Sequence, residues 1–242
     1  MNQTTTINTE ELLRETRMLN FTHPQLTQLQ MERGWSSMNT YSRIESIYNF
    51  VRDEIFFGYN RRDDIPASEV LKDGYGQCNT KATLLMALLR QNGIPCRLHG
   101  FTIHRNLQKG AIDGLWYRLA PAEIIHSWVE IHYDEQWIEL EGFIIDRSFL
   151  TSVQSMFPEV SGEFCGFGIA TQNLGEPPID WCGRNTYIQK EGIARDFGLF
   201  AHPDDFYELH GANLTGLRRT LYENFVRHRI NARVRFIREF TG

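Results

Sequence analysis

Apolar residues recur at helical spacing through the first third of the chain and at a spacing of two through its middle. Leu12, Leu13, Met18 and Leu19 predict an N-terminal helix capped at Asn8 or Thr9. Pro24 suits the first turn of a short second helix. From Asn39, the spacing of Ile44, Ile47, Tyr48, Val51 and Ile55 predicts a longer one. "YNRRDDIPASEVLKDGYGQ" reads as a loop holding a single helical turn, and a third long helix runs from Cys78 to about Gln91. Its apolar residues Leu84, Leu85, Ala87, Leu88 and Leu89 nearly surround the axis, the mark of a buried helix. Gly93 and Pro95 stop it. Beyond Pro95 the period becomes two: "CRLHGFTI", "IHSWVEIHY" and "QWIELEGFII" read as strands, the last two joined by a two-residue turn at Asp134-Glu135.

After Asp146 the pattern predicts a helix over 148–157 and a loop-like stretch over 160–190 rich in Gly, Pro and aromatics. A final helix from about Leu214 carries Leu217, Leu221 and Phe225, with many arginines on a solvated face. Helices first and antiparallel strands second make an α+β domain. The expected organisation is an N-terminal helical segment over 1–38, a core over 39–150 and a largely helical C-terminal extension over 151–242, packed on the core.

Composition narrows the partners. The 242 residues can bury a sizeable core. A formal charge of −5 argues against a surface built for nucleic-acid phosphates. No apolar run approaches the ~20 residues that cross a bilayer. The N-terminal stretch lacks a charged segment followed by an apolar one, so the expectation is a cytoplasmic protein with no membrane partner. Cys78, Cys96, Cys165 and Cys182 form no C-x-x-C pair and no zinc spacing, so free thiols and no metal or other cofactor are expected.

Cys78 differs from the other three by opening a helix directly after Gly74 and Gly76. Unpaired N–H groups and a partial positive charge at a helix N-terminus stabilise a thiolate and can receive an oxyanion. Such a thiol needs a base, and the base needs an orienting group. His126 opens a predicted strand and shares a face with Trp128, Glu130 and His132; His132 fits on spacing alone but lies nearer the turn. In a hairpin turning at 134–135, opposed residue numbers sum to about 269, which sets His126 near residue 143. Glu141 is then the nearest carboxylate on a matching face, with Asp146 the second choice.

Three segments together resemble the transglutaminase-like superfamily of papain-type cysteine enzymes. "ASEVLKDGYGQCNTKATLLMALLRQNGIPCRLHGF" is similar to that family's nucleophile helix, "HSWVEIHY" to its H-x-W-V-E-V strand and "QWIELEGFIID" to its W-x-x-x-D strand. The resemblance covers roughly residues 40 to 147 and implies Cys78 as nucleophile and His126 as general base and acid. The third member falls on Glu141, where the family usually has aspartate. It further implies a papain/transglutaminase-like fold and acyl transfer through a thioester on a protein, peptide or small amide substrate. Tyr59 and Tyr75 are both candidates for a second oxyanion donor.

Hydrolysis by a peptidase or deamidase is the leading expectation. Transfer to an amine is the first alternative, with the aromatic segment Phe164 to Trp181 as a water-excluding lid. A silent binding module is the second; the Glu141 departure favours it, whereas binding needs neither Cys78 nor His126. No acidic loop has calcium-ligand spacing. Specificity is expected from the loop at 105–122 and from the segment after residue 147.

Overall fold

The computed structural model describes residues 9–112, 114–211, 213–214 and 216–240. In chain order the elements are α1 (Pro24–Arg33), α2 (Thr40–Asp53), β1 (Phe56–Phe57), α3 (Ala67–Asp73), β2 (Tyr75–Gly76), α4 (Cys78–Gln91) and β3 (Cys96–His104). There follow α5 (Gly114–Leu119), β4 (Glu123–Tyr133), β5 (Gln136–Leu140), α6 (Arg147–Met156), β6 (Phe164–Gly166) and β7 (Ile169–Thr171). The chain ends with β8 (Ile193–Phe200), α7 (Pro203–His210), α8 (Gly216–Leu221) and α9 (Arg227–Arg238), the last two joined by a π-helical stretch, Tyr222–Val226.

The α+β class holds. Helix α4 packs on an antiparallel sheet of order β5-β4-β3-β8. Local chemistry explains where α4 begins: Gln77 and Thr80 form a reciprocal capping box, and every residue from Cys78 to Arg90 is buried. The β4–β5 hairpin turns through Asp134 and Glu135, both with positive φ, as a two-residue turn requires. Its register sets Val129 against Leu140 and Glu130 against Glu139, the pairing expected from the turn position.

Five expectations change. Of the expected N-terminal helix the described residues make only one 3-10 turn, Glu11–Leu13, entered from Glu10 rather than capped by Thr9; Asn8, the other expected cap, lies outside the described residues. Their backbone is spent on tertiary bonds instead of a helix ladder. Arg90 Nη1 donates to the Arg14 carbonyl at 2.8 Å, and Met18 N donates to Asp204, while Met18 and Leu19 drop into the core. The single helical turn expected before Cys78 is the seven-residue α3. Strand β5 stops at Leu140 rather than running to residue 145, because the Glu141 N–H bonds to the Thr186 carbonyl and leaves the ladder. Finally, β8 and α7 arise where no element was predicted. β8 is an edge strand interrupted by register shifts, so it carries no clean alternation to read. The expected final helix is divided into α8, the π-helical stretch and α9; the Leu217 side chain lies outside the described residues.

One buried cluster runs from Met18 to Ile237 and so draws on the first and last elements alike. The C-terminal segment is tied down by polar latches. Asn231 both donates to and accepts from the Tyr59 backbone, and Arg238 pairs with buried Asp146 at 2.9 Å. These bonds hold α9 across the Phe57–Asn60 stretch. Among the described residues no helix is long and apolar enough to cross a membrane.

Candidate active site

Cys78 is the first residue of α4 and 7% exposed. In its turn the Thr80 N–H is capped by Gln77 and the Lys81 N–H bonds to the Gln77 carbonyl. The N–H groups of Cys78 and Asn79 remain as open donors beside the thiol. Gly74 ends α3 with φ 69°. At Gly76 a Cβ would lie 2.7 Å from Thr80 Oγ1 and 2.9 Å from Lys81 Cγ, so its missing side chain makes room for the first turn of α4.

His126 sits on β4 and Glu141 just past β5, both fully buried. His126 Nε2 lies 2.9 Å from Glu141 Oε1. The other carboxylate oxygen accepts the N–H groups of Ile188, Gln189 and Lys190 at 2.9–3.0 Å. Donors on both oxygens lock the carboxylate in place. The second ring nitrogen of His126, Nδ1, is buried and has no hydrogen-bond partner among the described residues. Burial alone pushes the imidazole's pKa down; the Cys78 side chain and then Glu141 outweigh it and lift it to about 9. The ring is hydrogen-bonded to the Glu141 carboxylate and electrostatically coupled to the Cys78 side chain.

The alternatives lie elsewhere. Asp146 caps α6, accepting the N–H of Phe149 and of Phe57, and pairs with Arg238. Burial raises its pKa, but Arg238 more than offsets this and holds it below the usual carboxylate value. His132 packs against Trp137, the ring centroids 5.3 Å apart and the planes tilted by 59°. Tyr59 shares a cavity with Cys78, but its hydroxyl bonds to Gln108. Tyr75 is off that cavity, its hydroxyl accepting from Arg227 at 3.2 Å. The aromatic segment expected as a lid packs away from the thiol: Phe164 and Phe167 against Phe157, and Trp181 against Tyr41 and Tyr133. The cavity is lined instead by Asn213, Leu214, Leu221, Tyr222, Val226 and Ile230 from the C-terminal part of the chain.

A polar hub absent from the sequence reading stitches α4 to β4. Asn79 donates to Asp63 and to the Ile125 carbonyl, and accepts from Ser127, the residue next to His126. Gln77 and Asn213 also donate to Asp63. The available signal was the run Asn79, Thr80, Lys81 and Thr83 on an otherwise apolar, buried helix. Lys81 is fully buried, donates to the Arg52 and Ile144 carbonyls, and is pushed down to about 7 by burial. Among the described residues no group of three His, Cys, Asp or Glu is placed to hold a metal ion.

Residues 30–142 match the family model of the transglutaminase-like superfamily. Cys78, His126 and Glu141 all fall inside that transglutaminase-like segment. The uncharacterized protein YebA of Bacillus subtilis (strain 168) is 25% identical over 126 residues, which cover 47% of this chain and 17% of YebA. Among solved structures, a candidate cysteine protease from Cytophaga hutchinsonii aligns with TM-score 0.45 and 14% identity, over 80% of this chain and 47% of that one. Red sea bream transglutaminase aligns with TM-score 0.30 and 19% identity, over 55% of this chain and 25% of its own. The chain thus spans less than half the length of each of these proteins.

Proposed function

We propose that the transglutaminase-like segment is a cysteine-dependent amide hydrolase working through a thioester, with Cys78 as nucleophile, His126 as general base and acid, and Glu141 as the group that orients it. The observation that carries this reading is the buried His126–Glu141 pair, whose free Nδ1 acts toward a thiol at a helix N-terminus. The Cys78 proton passes to Nδ1, and Sγ attacks the amide carbonyl carbon. Negative charge on the carbonyl oxygen is received by the open N–H groups of the first α4 turn. As the C–N bond breaks, Nδ1–H protonates the departing amine. Water, losing its proton to His126, then attacks the thioester and releases the acid, and the thiol returns. Throughout, Glu141 fixes the Nε2–H tautomer.

Iodoacetamide at pH ~6 tests the nucleophile, since His126, with a pKa of about 9, is an imidazolium there beside the thiol at the helix N-terminus. Burial raises the pKa of Cys96 and of Cys165, so both are expected to label slowly. Selective alkylation of Cys78, abolished in His126→Ala, supports the reading; equal slow labelling of all four cysteines overturns it.

Transfer to an amine is the second reading, favoured by the enclosure of Cys78 and of the buried His126. Glutamine-containing peptides with and without an added amine separate the two, by ammonia release against conjugate.

A further inference from the structure

The cavity onto which Cys78 opens has a volume of about 220 Å³ and a largely apolar wall built by residues such as Phe57, Ile112, Trp116 and Val226. Among the described residues' buried polar atoms without a partner, one belongs to a residue on that wall: Gln189 Oε1. The residue is 1% exposed. Its amide has a fixed sense, because Nε2 donates to the Gly168 carbonyl and leaves the buried oxygen unpaired among the described residues. Its backbone N–H is one of the three that hold Glu141, so this acceptor is mechanically continuous with the orienting carboxylate. Gln108, on the same wall, is its complement: Oε1 takes the Tyr59 hydroxyl, and Nε2 makes no hydrogen bond to the described residues.

A carbonyl oxygen left unpaired in an apolar surround costs roughly 1–3 kcal/mol, and native structures rarely keep one without a use. An open acceptor and an open donor on one apolar wall match the two ends of a backbone amide. The volume exceeds the roughly 150 Å³ that accommodates a benzene ring. We infer that this cavity is the subsite for the acyl residue of the substrate: it takes an apolar side chain of leucine to phenylalanine size, and that residue's own amide N–H donates to Gln189 Oε1, while Gln108 Nε2 donates to the preceding carbonyl. The substrate class is then an N-acylated apolar aminoacyl amide. This rests on Cys78 being the acylated thiol.

The probes are three chloromethyl ketones, which alkylate a thiolate as chloride leaves: N-acetylphenylalanyl, N-acetylglycyl, and the phenylalanine analogue with hydrogen in place of the acetamido group. Rates of Cys78 modification are read by mass spectrometry and divided by the iodoacetamide rate of the same protein, which cancels changes in the thiolate itself. In the wild type the N-acetylphenylalanyl probe is expected to react about tenfold faster than either of the others. Gln189→Met is expected to erase the advantage over the analogue lacking the N–H. Equal normalised rates in the wild type, or an undiminished advantage in Gln189→Met, overturn the subsite while leaving the nucleophile intact. Failure of iodoacetamide to single out Cys78 overturns the acyl-enzyme reading and this one with it. The wild-type series decides without the variant.

Discussion

The most direct consequence of the site geometry is a histidine that stays protonated well above its ordinary range. Three influences act on the His126 ring. Burial favours the neutral imidazole, while the Cys78 side chain and Glu141, in that order, favour the imidazolium and win, moving the pKa from 6.5 to about 9. Since Cys78 is the larger of the two favourable partners, Cys78→Ala should release the ring toward its burial-dominated value. The titration midpoint should fall by at least about one pH unit, a tenfold loss of proton affinity. The assay is NMR observation of the His126 ring Cε1–H between pH 5 and 10, assigned by its loss in His126→Ala. The sign also reaches stability. An unfolded histidine binds its proton below about 6.5 and the folded one up to about 9, so the stabilisation from this pair is complete below pH 6.5. It is lost as pH climbs to about 9, on the order of 3 kcal/mol for the whole window. A wild-type midpoint at or below 6.5, or one unmoved by Cys78→Ala, would refute the thiolate–imidazolium pairing.

Glu141→Gln and Asp146→Asn should separate the two carboxylates. The first places an amide N–H₂ against His126 Nε2 when its oxygen keeps the three backbone donors; this forces the wrong tautomer and should cut amide hydrolysis by about 10³-fold or more. The second should lower the thermal midpoint by loosening the α6 cap and Arg238, with the pH profile of Cys78 alkylation unchanged. Glu141→Asp shortens the arm by one methylene, so the carboxylate reaches either His126 or the 188–190 N–H groups, and the His126 titration midpoint should fall below the wild-type value. Lys81, buried and near 7 when folded but 10.5 when free, makes the unfolded chain bind more protons between those values, so its contribution to stability rises with pH. Urea midpoints of Lys81→Met should lack that rise, with the variant losing about 2 kcal/mol relative to wild type between pH 7 and 9.

What could be read from the residues was what neighbouring residues decide. The start of α4 is set by the adjoining Gln77 and Thr80, and the hairpin register by a turn two residues long, so both followed from local pattern. The N-terminal segment failed for the opposite reason: Leu12, Leu13, Met18 and Leu19 have helix-compatible spacing, yet the stretch bonds through the Arg14 carbonyl to Arg90 and through the Met18 N–H to Asp204, both far along the chain. The same limit hid the Asp63 hub, strand β8 and the C-terminal lining of the cavity, each of which joins segments that no sequence window contains together.

Glu141 shows how that limit bears on the site. Read as part of a continuous strand, residue 141 stands two positions from the partner expected for His126, and a glutamate there looks like a departure from the aspartate of the resembling family. The strand instead ends at Leu140, the Glu141 backbone moves onto Thr186, and a Cβ at Gly142 would lie 2.6 Å from the Tyr48 hydroxyl. The carboxyl group must therefore bridge from a chain that has left the sheet to His126 on one side and to the 188–190 backbone on the other. The longer arm is suited to that bridge. Both of the segments that surround it, the bend at 141–142 and the backbone at 188–190, come from where the chain folds back on itself, so the fitness of a glutamate at this position is a property of tertiary structure and not of the strand motif that first drew attention to it.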